Sequence, residues 1–191
     1  MDRQLQAIVD DLEVARQRLR ALQADLPCDG WDHRPEPDCW SPAECIEHLN
    51  LTSEALLPLL RAGLQRARDG EPRTAGRYRR DLTGWVIWTI MAPVRGWKTK
   101  TIRAFVPTGT KPSAQLIADF ERLQAEIVAL VGEADGLPID RVILVSPFDE
   151  RVKYNLYSMF TLVPRHQHRH LVQAGRAARM FDAVAASALA V

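Results

Sequence analysis

Two histidines four residues apart, and a third far from them in the chain, are placed to do metal chemistry. His166 and His170 are spaced i, i+4 in a segment of helical periodicity, so both rings project from one helix face. Met159, Val163 and Ala177 share that face, which marks it as the inward one. His48 lies in another helical segment, on a stripe with Cys45, Thr52, Ala55 and Leu59. If the two helices pack together, three imidazoles converge. Neutral imidazoles suit Zn²⁺, Ni²⁺ or Fe²⁺, and three protein ligands leave a position open for water or substrate. The spacing is not that of an H-E-x-x-H metalloprotease, because Gln167 stands where the glutamate base would be.

The neighbours of these residues have other expected roles. Cys45 is three residues from His48 and could be a ligand, although a small buried thiol is the stronger expectation. His168 is turned roughly 200° from His166 and is expected on the surface. Glu47 adjoins His48 and could act as a base, but its offset around the helix favours a solvated or interhelix charge.

Four long segments must position these side chains. In the first, Leu5, Ile8, Leu12, Ala15, Leu19, Leu22 and Leu26 recur every three or four residues, and Pro27 ends the run. The second, over about 41–69, opens in "WSPAECIEHLN". There Ser41 is an N-cap, Pro42 takes the first helical position, and Glu44 completes a capping box. Gly70-Glu71-Pro72 stops it. The third opens with Ser113 as cap, carries Leu116, Phe120, Leu123, Ile127 and Leu130, and ends near Gly132. The fourth covers about 154–181, and the tail "AVAASALAV" extends it or frays. Pro164 inside it predicts either a kink or a break.

A long connection, 70–112, joins the second and third segments. It is basic, then Trp-rich, then basic again, and a short helix is expected around 81–91. Residues 140–149 are β-like with no evident partner strand and read as an extended crossover. The pattern predicts an all-α fold: one domain over 1–191, a four-helix bundle with a long crossover between helices 2 and 3.

Composition narrows the partners. The 191 residues carry a formal net charge of +1 and are 47% hydrophobic, which gives no global argument for nucleic acid. The longest apolar run, "WVIWTIMAPV", is too short to span a bilayer, so no membrane partner is expected. Three cysteines without a CxxC pair favour a reducing compartment over a disulfide framework, although Cys28 and Cys39 could pair. The first 26 residues are charged throughout and hold no apolar signal core. A cytoplasmic protein is expected.

"WSPAECIEHLN", followed much later by "HQHRHLVQA", resembles the DinB-like (DinB/YfiT-like) superfamily of metal-dependent enzymes. Members pair a W-S-x-x-E-x-x-x-H-L helix start with a late H-x-x-x-H-x-x-Q helix. Here those are Trp40, Ser41, Glu44, His48 and Leu49, then His166, His170 and Gln173. "KTKTIRAFVPTG" and "SPFDERVKYNL" look like one branch of the family. The resemblance implies a four-helix bundle, often a homodimer, with a divalent metal held by His48, His166 and His170. It also implies a small-molecule substrate: relatives include S-transferases and isomerases that use thiols such as mycothiol or bacillithiol, and others are classed as hydrolases.

Two function classes remain open at this level. One is a metal-dependent transferase or hydrolase, with the basic stretches 73–80 and 95–103 holding an anionic tail of the thiol. The other is a non-catalytic protein that binds a small molecule or senses a metal, its pocket capped by Trp85, Trp88 and Trp97. In either case the long connection is expected to cover the working side of the metal.

Overall fold

Leu5, Ile8, Leu12, Ala15 and Leu19 form the buried stripe of helix α1 (Arg3–Asp25), as their spacing requires. The computed structural model describes residues 1–70, 76–92 and 101–189. The Asp2 carboxylate accepts the Gln4 amide at 2.7 Å and caps α1. At the other end Leu26 turns extended ahead of Pro27.

Helix α2 (Pro42–Arg68) begins as its sequence predicts. The Glu44 amide donates to Ser41 Oγ at 3.2 Å, and the Ser41 amide donates back to the Glu44 carboxylate at 2.9 Å. Ser41 and Glu44 are themselves buried, so this start is anchored inside the molecule. Pro58 lies within α2 on its exposed side without ending the helix. Helix α3 (Leu82–Ile90) falls within the short helix expected at 81–91.

Helix α4 (Ser113–Glu133) starts differently from expectation. Pro112 holds the cap position and Ser113 is the first helical residue, with no side-chain cap. Proline's fixed φ organises this start in place of a hydroxyl.

The largest correction concerns the stretch before the last helix. Residues expected as an unpaired crossover contain β1 (Ile143–Val145), which pairs antiparallel with β2 (Lys153–Asn155), Leu144 opposite Tyr154. Three-residue strands are too short to show a period of two. The turn between them closes on its own side chains: Ser146 Oγ accepts the Phe148 amide, and Asp149 accepts the Arg151 amide. Helix α5 (Leu156–Leu189) therefore starts after Tyr154 and runs unbroken past Pro164 into the tail. Asn155 caps it, accepting the Ser158 amide at 2.7 Å while donating to the carbonyls of Arg79 and Asp140.

Among the described residues the protein is mostly α-helical, with this hairpin as its β element. Helices α1 and α2 each pack against both α4 and α5, and α3 lies on α5. Two apolar clusters fill the interior. One holds Leu12, Leu123 and Val163; the other holds Ala15, Phe120 and Leu171. Between them lies a polar layer. Gln124 and Gln167 exchange amide hydrogen bonds at 3.2 and 2.7 Å, and Gln124 also donates to the Leu12 carbonyl at 2.6 Å. Buried polar groups persist only when paired in this way. His166 and His170 leave α5 at the same level.

Candidate metal centre

The rings of His48, His166 and His170 come together where α2 meets α5. Their centroids are 5.1 Å (His48–His166), 4.5 Å (His48–His170) and 4.6 Å (His166–His170) apart. One nitrogen from each ring lies within 4.8 Å of the others, a grouping that could hold a metal ion. His48 and His170 are 5% and 8% exposed, and His166 is partly exposed.

Hydrogen bonds at the far side of two rings fix which nitrogen is free. His48 Nδ1 lies 2.8 Å from the carbonyl oxygen of Phe105. A carbonyl only accepts, so Nδ1 carries the proton and Nε2 turns a lone pair inward. His170 Nδ1 lies 3.1 Å from the Gln173 amide oxygen, which assigns its tautomer the same way. Such outer contacts orient metal-ligating histidines generally. His48 Nε2 and His166 Nε2 are 3.2 Å apart. Two nitrogens at 2.0–2.1 Å from a tetrahedral ion would be separated by about 3.3 Å, close to the spacing of this one pair.

Electrostatics point the same way. Burial holds His48 below the ordinary imidazole value and His166 well below it; the nearby His170, His48 and Arg169 add to the effect on His166. His170 is pushed down to about 3, chiefly by burial and then by His48 and Arg169. Neutral imidazole is the ligating form. Trp40 covers one side, its ring 4.9 Å from His48 and 5.8 Å from His170.

The other residues singled out in the sequence fall elsewhere or behave differently. His168 does project away from the cluster, but it is buried rather than on the surface. Helix α1 covers it: His168 Nε2 donates to Asp11 at 3.0 Å, and its Nδ1 accepts from Arg18 at 3.1 Å. The position 200° from the metal face meets a neighbouring helix, not solvent. Cys45 is fully buried, and burial pushes its thiol up, away from the thiolate a metal would need. Cys28 and Cys39 are free thiols, not a disulfide. Glu47 is neither solvated nor an interhelix charge. It is 4% exposed and accepts from Thr108 Oγ1 at 2.7 Å and from the Gly109 amide at 2.9 Å.

Of the long connection, Phe105 reaches the histidines directly. Arg77, Arg79 and Arg103 are exposed. Arg80 and Arg165 stack on Trp88, 4.7 and 4.0 Å from its ring centre, while Trp85 is largely exposed. Arg73, Arg95, Lys98, Lys100 and Trp97 lie outside the described residues. Cavities of about 350 and 200 Å³ open along α1 and α5, and neither is lined by the three histidines. Sequence reasoning missed the Phe105 carbonyl, because a backbone acceptor leaves no trace in residue type. Gln173 was legible as the last letter of H-x-x-x-H-x-x-Q.

Comparison with curated proteins and with solved structures gives no significant match. A family model described as the DinB superfamily matches residues 11–174, a span that begins in α1 and takes in His48, His166 and His170. The chain belongs to the DinB superfamily.

Proposed function

We propose that His48, His166 and His170 ligate one divalent metal, Zn²⁺ or Ni²⁺ before Fe²⁺, and that the protein is a metal-dependent enzyme acting on a small molecule with a low-molecular-weight thiol. The observation that carries this reading is the convergence of three ring nitrogens, two of them with lone pairs turned inward by Phe105 and Gln173. A divalent metal held there supplies Lewis acidity, lowering the pKa of a thiol or water at its open position. The chain's residues do the rest. Phe105 and Gln173 hold two rings in register, and Trp40 shields one side of the cluster.

Thiol transfer is put before hydrolysis on the state of two carboxylates of α2, Glu44 and Glu47. Hydrolysis that relies on a carboxylate base finds both engaged: Glu47 is bound to Thr108 and Gly109, and Glu44 to Arg34 and Ser41. A thiol is far more acidic than water and would give up its proton to solvent with less need of such a base. The engagement of both carboxylates also supports the alternative, a non-catalytic bundle that binds a metal or small molecule. The packing of α1 and α2 on α4 and α5 supports a single-domain four-helix bundle with the long crossover between α2 and α4. We further propose a cytoplasmic homodimer without nucleic-acid or membrane partners. No helix among the described residues is long and apolar enough to cross a membrane.

The test is metal analysis of protein purified without a histidine tag, followed by thiol-transfer assays on the metal-loaded form. One equivalent of metal and thiol-dependent turnover are expected. Metal without thiol binding would favour the hydrolase or the binding protein, which ester and amide hydrolysis would separate. A metal-free protein that takes up none of the three ions would end the reading.

A further inference from the structure

We propose that Glu47 is a positioning residue for the three-histidine site, acting through the segment 105–109; this rests on the reading of that site as a metal centre. Glu47 and His48 are adjacent on α2, and each grips the same segment. His48 Nδ1 donates to the Phe105 carbonyl at 2.8 Å. Three and four residues later, Thr108 Oγ1 and the Gly109 amide donate to the Glu47 carboxylate at 2.7 and 2.9 Å. A carboxylate this buried is costly unless its oxygens are bonded. Among the described residues no Lys or Arg pairs with it, and Thr108 and Gly109 bond its oxygens.

The segment is shaped for this grip. Gly109 has φ +68°, a backbone conformation that residues with a side chain rarely adopt, and its amide meets the Glu47 carboxylate. The Phe105 ring is buried against Phe148, 4.9 Å between ring centres. Phe105 therefore presents its carbonyl to His48 from a segment fixed at one end by Phe148 and at the other by Glu47. Releasing the Glu47 end lets the carbonyl drift, and His48 Nε2 is then no longer held as the inward lone pair. By linkage, a metal that requires this tautomer also tightens the 105–109 segment.

The experiment compares wild type with Glu47→Gln, Glu47→Ala and Thr108→Val. Zn²⁺ affinity is measured by competition with a chromophoric chelator. The His48 tautomer is read from imidazole nitrogen shifts in metal-free protein, and the Gly109 amide from hydrogen exchange. Glu47→Ala is expected to weaken Zn²⁺ binding about tenfold, the low end for partners of metal-ligating histidines. It should also mix the His48 tautomers and speed Gly109 exchange. Glu47→Gln keeps one acceptor and should recover part of the affinity. Should Glu47→Ala fail to fold, Thr108→Val gives the same readings at smaller amplitude. Lower thermal stability with unchanged Zn²⁺ affinity and an unchanged tautomer would overturn the proposal. A wild type that takes up no metal would overturn the metal reading instead. The tautomer comparison in metal-free protein would still show whether Glu47 holds the His48 ring.

Discussion

His48 Nε2 and His166 Nε2 face each other at 3.2 Å across the contact of α2 with α5. The Phe105 carbonyl fixes His48 Nε2 as a lone pair. Without an ion, the contact is favourable only if His166 Nε2 carries a proton. An ion held there would need a lone pair from both nitrogens, and the His166 proton would then sit on Nδ1. Metal binding therefore predicts a tautomer change at His166 alone. Alanine at His48, His166 or His170 should each abolish stoichiometric metal, leaving less than about one tenth of the wild-type content, since two ligands seldom retain what three hold. Retention of metal by any one variant would remove that residue from the ligand set.

His168 separates metal chemistry from packing. Its two nitrogens are taken by Asp11 and Arg18, so it contributes to the docking of α1 on α5. His168→Ala should keep full metal content and lower stability by about 1–2 kcal/mol, the usual cost of losing a partly buried hydrogen-bonded pair. Unfolding in urea, alongside metal analysis of the same preparation, measures both. Loss of metal equal to that of His170→Ala would show the site extends to the α1 side.

Ser41 fixes the first turn of α2, and His48 lies in the second. Its hydroxyl accepts the Glu44 amide inside the protein, where water cannot substitute. Ser41→Ala should cost about 1–2 kcal/mol in thermal or urea unfolding. Ser41→Asp should recover less than usual, because its charge would face Glu44, already paired with Arg34. An unchanged midpoint for the alanine variant would mean the Pro42 start suffices alone.

What the sequence disclosed and what it hid have physical reasons. The capping box, the α1 stripe and the His166–His170 spacing are local patterns, set by helix geometry within a few residues. The burial of His168 depends on where α1 lies against α5, 157 positions away for its partner Asp11. The Phe105 carbonyl reaches His48 across 57 positions with no side chain involved. The hairpin was hidden because Tyr154 continues the apolar pattern of α5 although it belongs to β2. Periodicity finds faces; it does not say which element meets each face.

Gly84 sets how closely α3 approaches α5. A Cβ there would overlap Oγ and Cβ of Ser158, and that hydroxyl is already bound to Asp81 at 2.7 Å. Helix propensity alone would make Gly84→Ala stabilising. The clash should win, lowering stability by about 1–3 kcal/mol as overpacking does. Pairing it with Ser158→Gly, which vacates the space, should restore part of the loss. Stabilisation by the single variant would show that α3 is free to shift.

Acid should destabilise the metal-free protein through the same three rings. Burial keeps their folded values below the ordinary 6.5, with His170 at about 3. Above pH 6.5 both folded and unfolded chains hold these imidazoles neutral, so the full stability is present. As pH falls below 6.5, the unfolded chain takes up protons that the folded one refuses, and stability declines toward the folded values. Each histidine can contribute up to about 1.4 kcal/mol per pH unit in that range. Asp11 and Glu44 are also held below their ordinary values, but of 3.8 and 4.5, so their contribution is lost only at lower pH. The window from pH 6.5 to 5 thus isolates the histidines. Urea unfolding of chelator-treated protein at pH 7, 6 and 5 should show a falling midpoint, and His170→Gln should flatten it by about one histidine's share. Metal should raise the midpoint at pH 7 and lose its hold at lower pH as protons compete for the same nitrogens. A wild-type midpoint that is level across the window, or a His170→Gln slope equal to wild type, would mean the rings are not buried neutral.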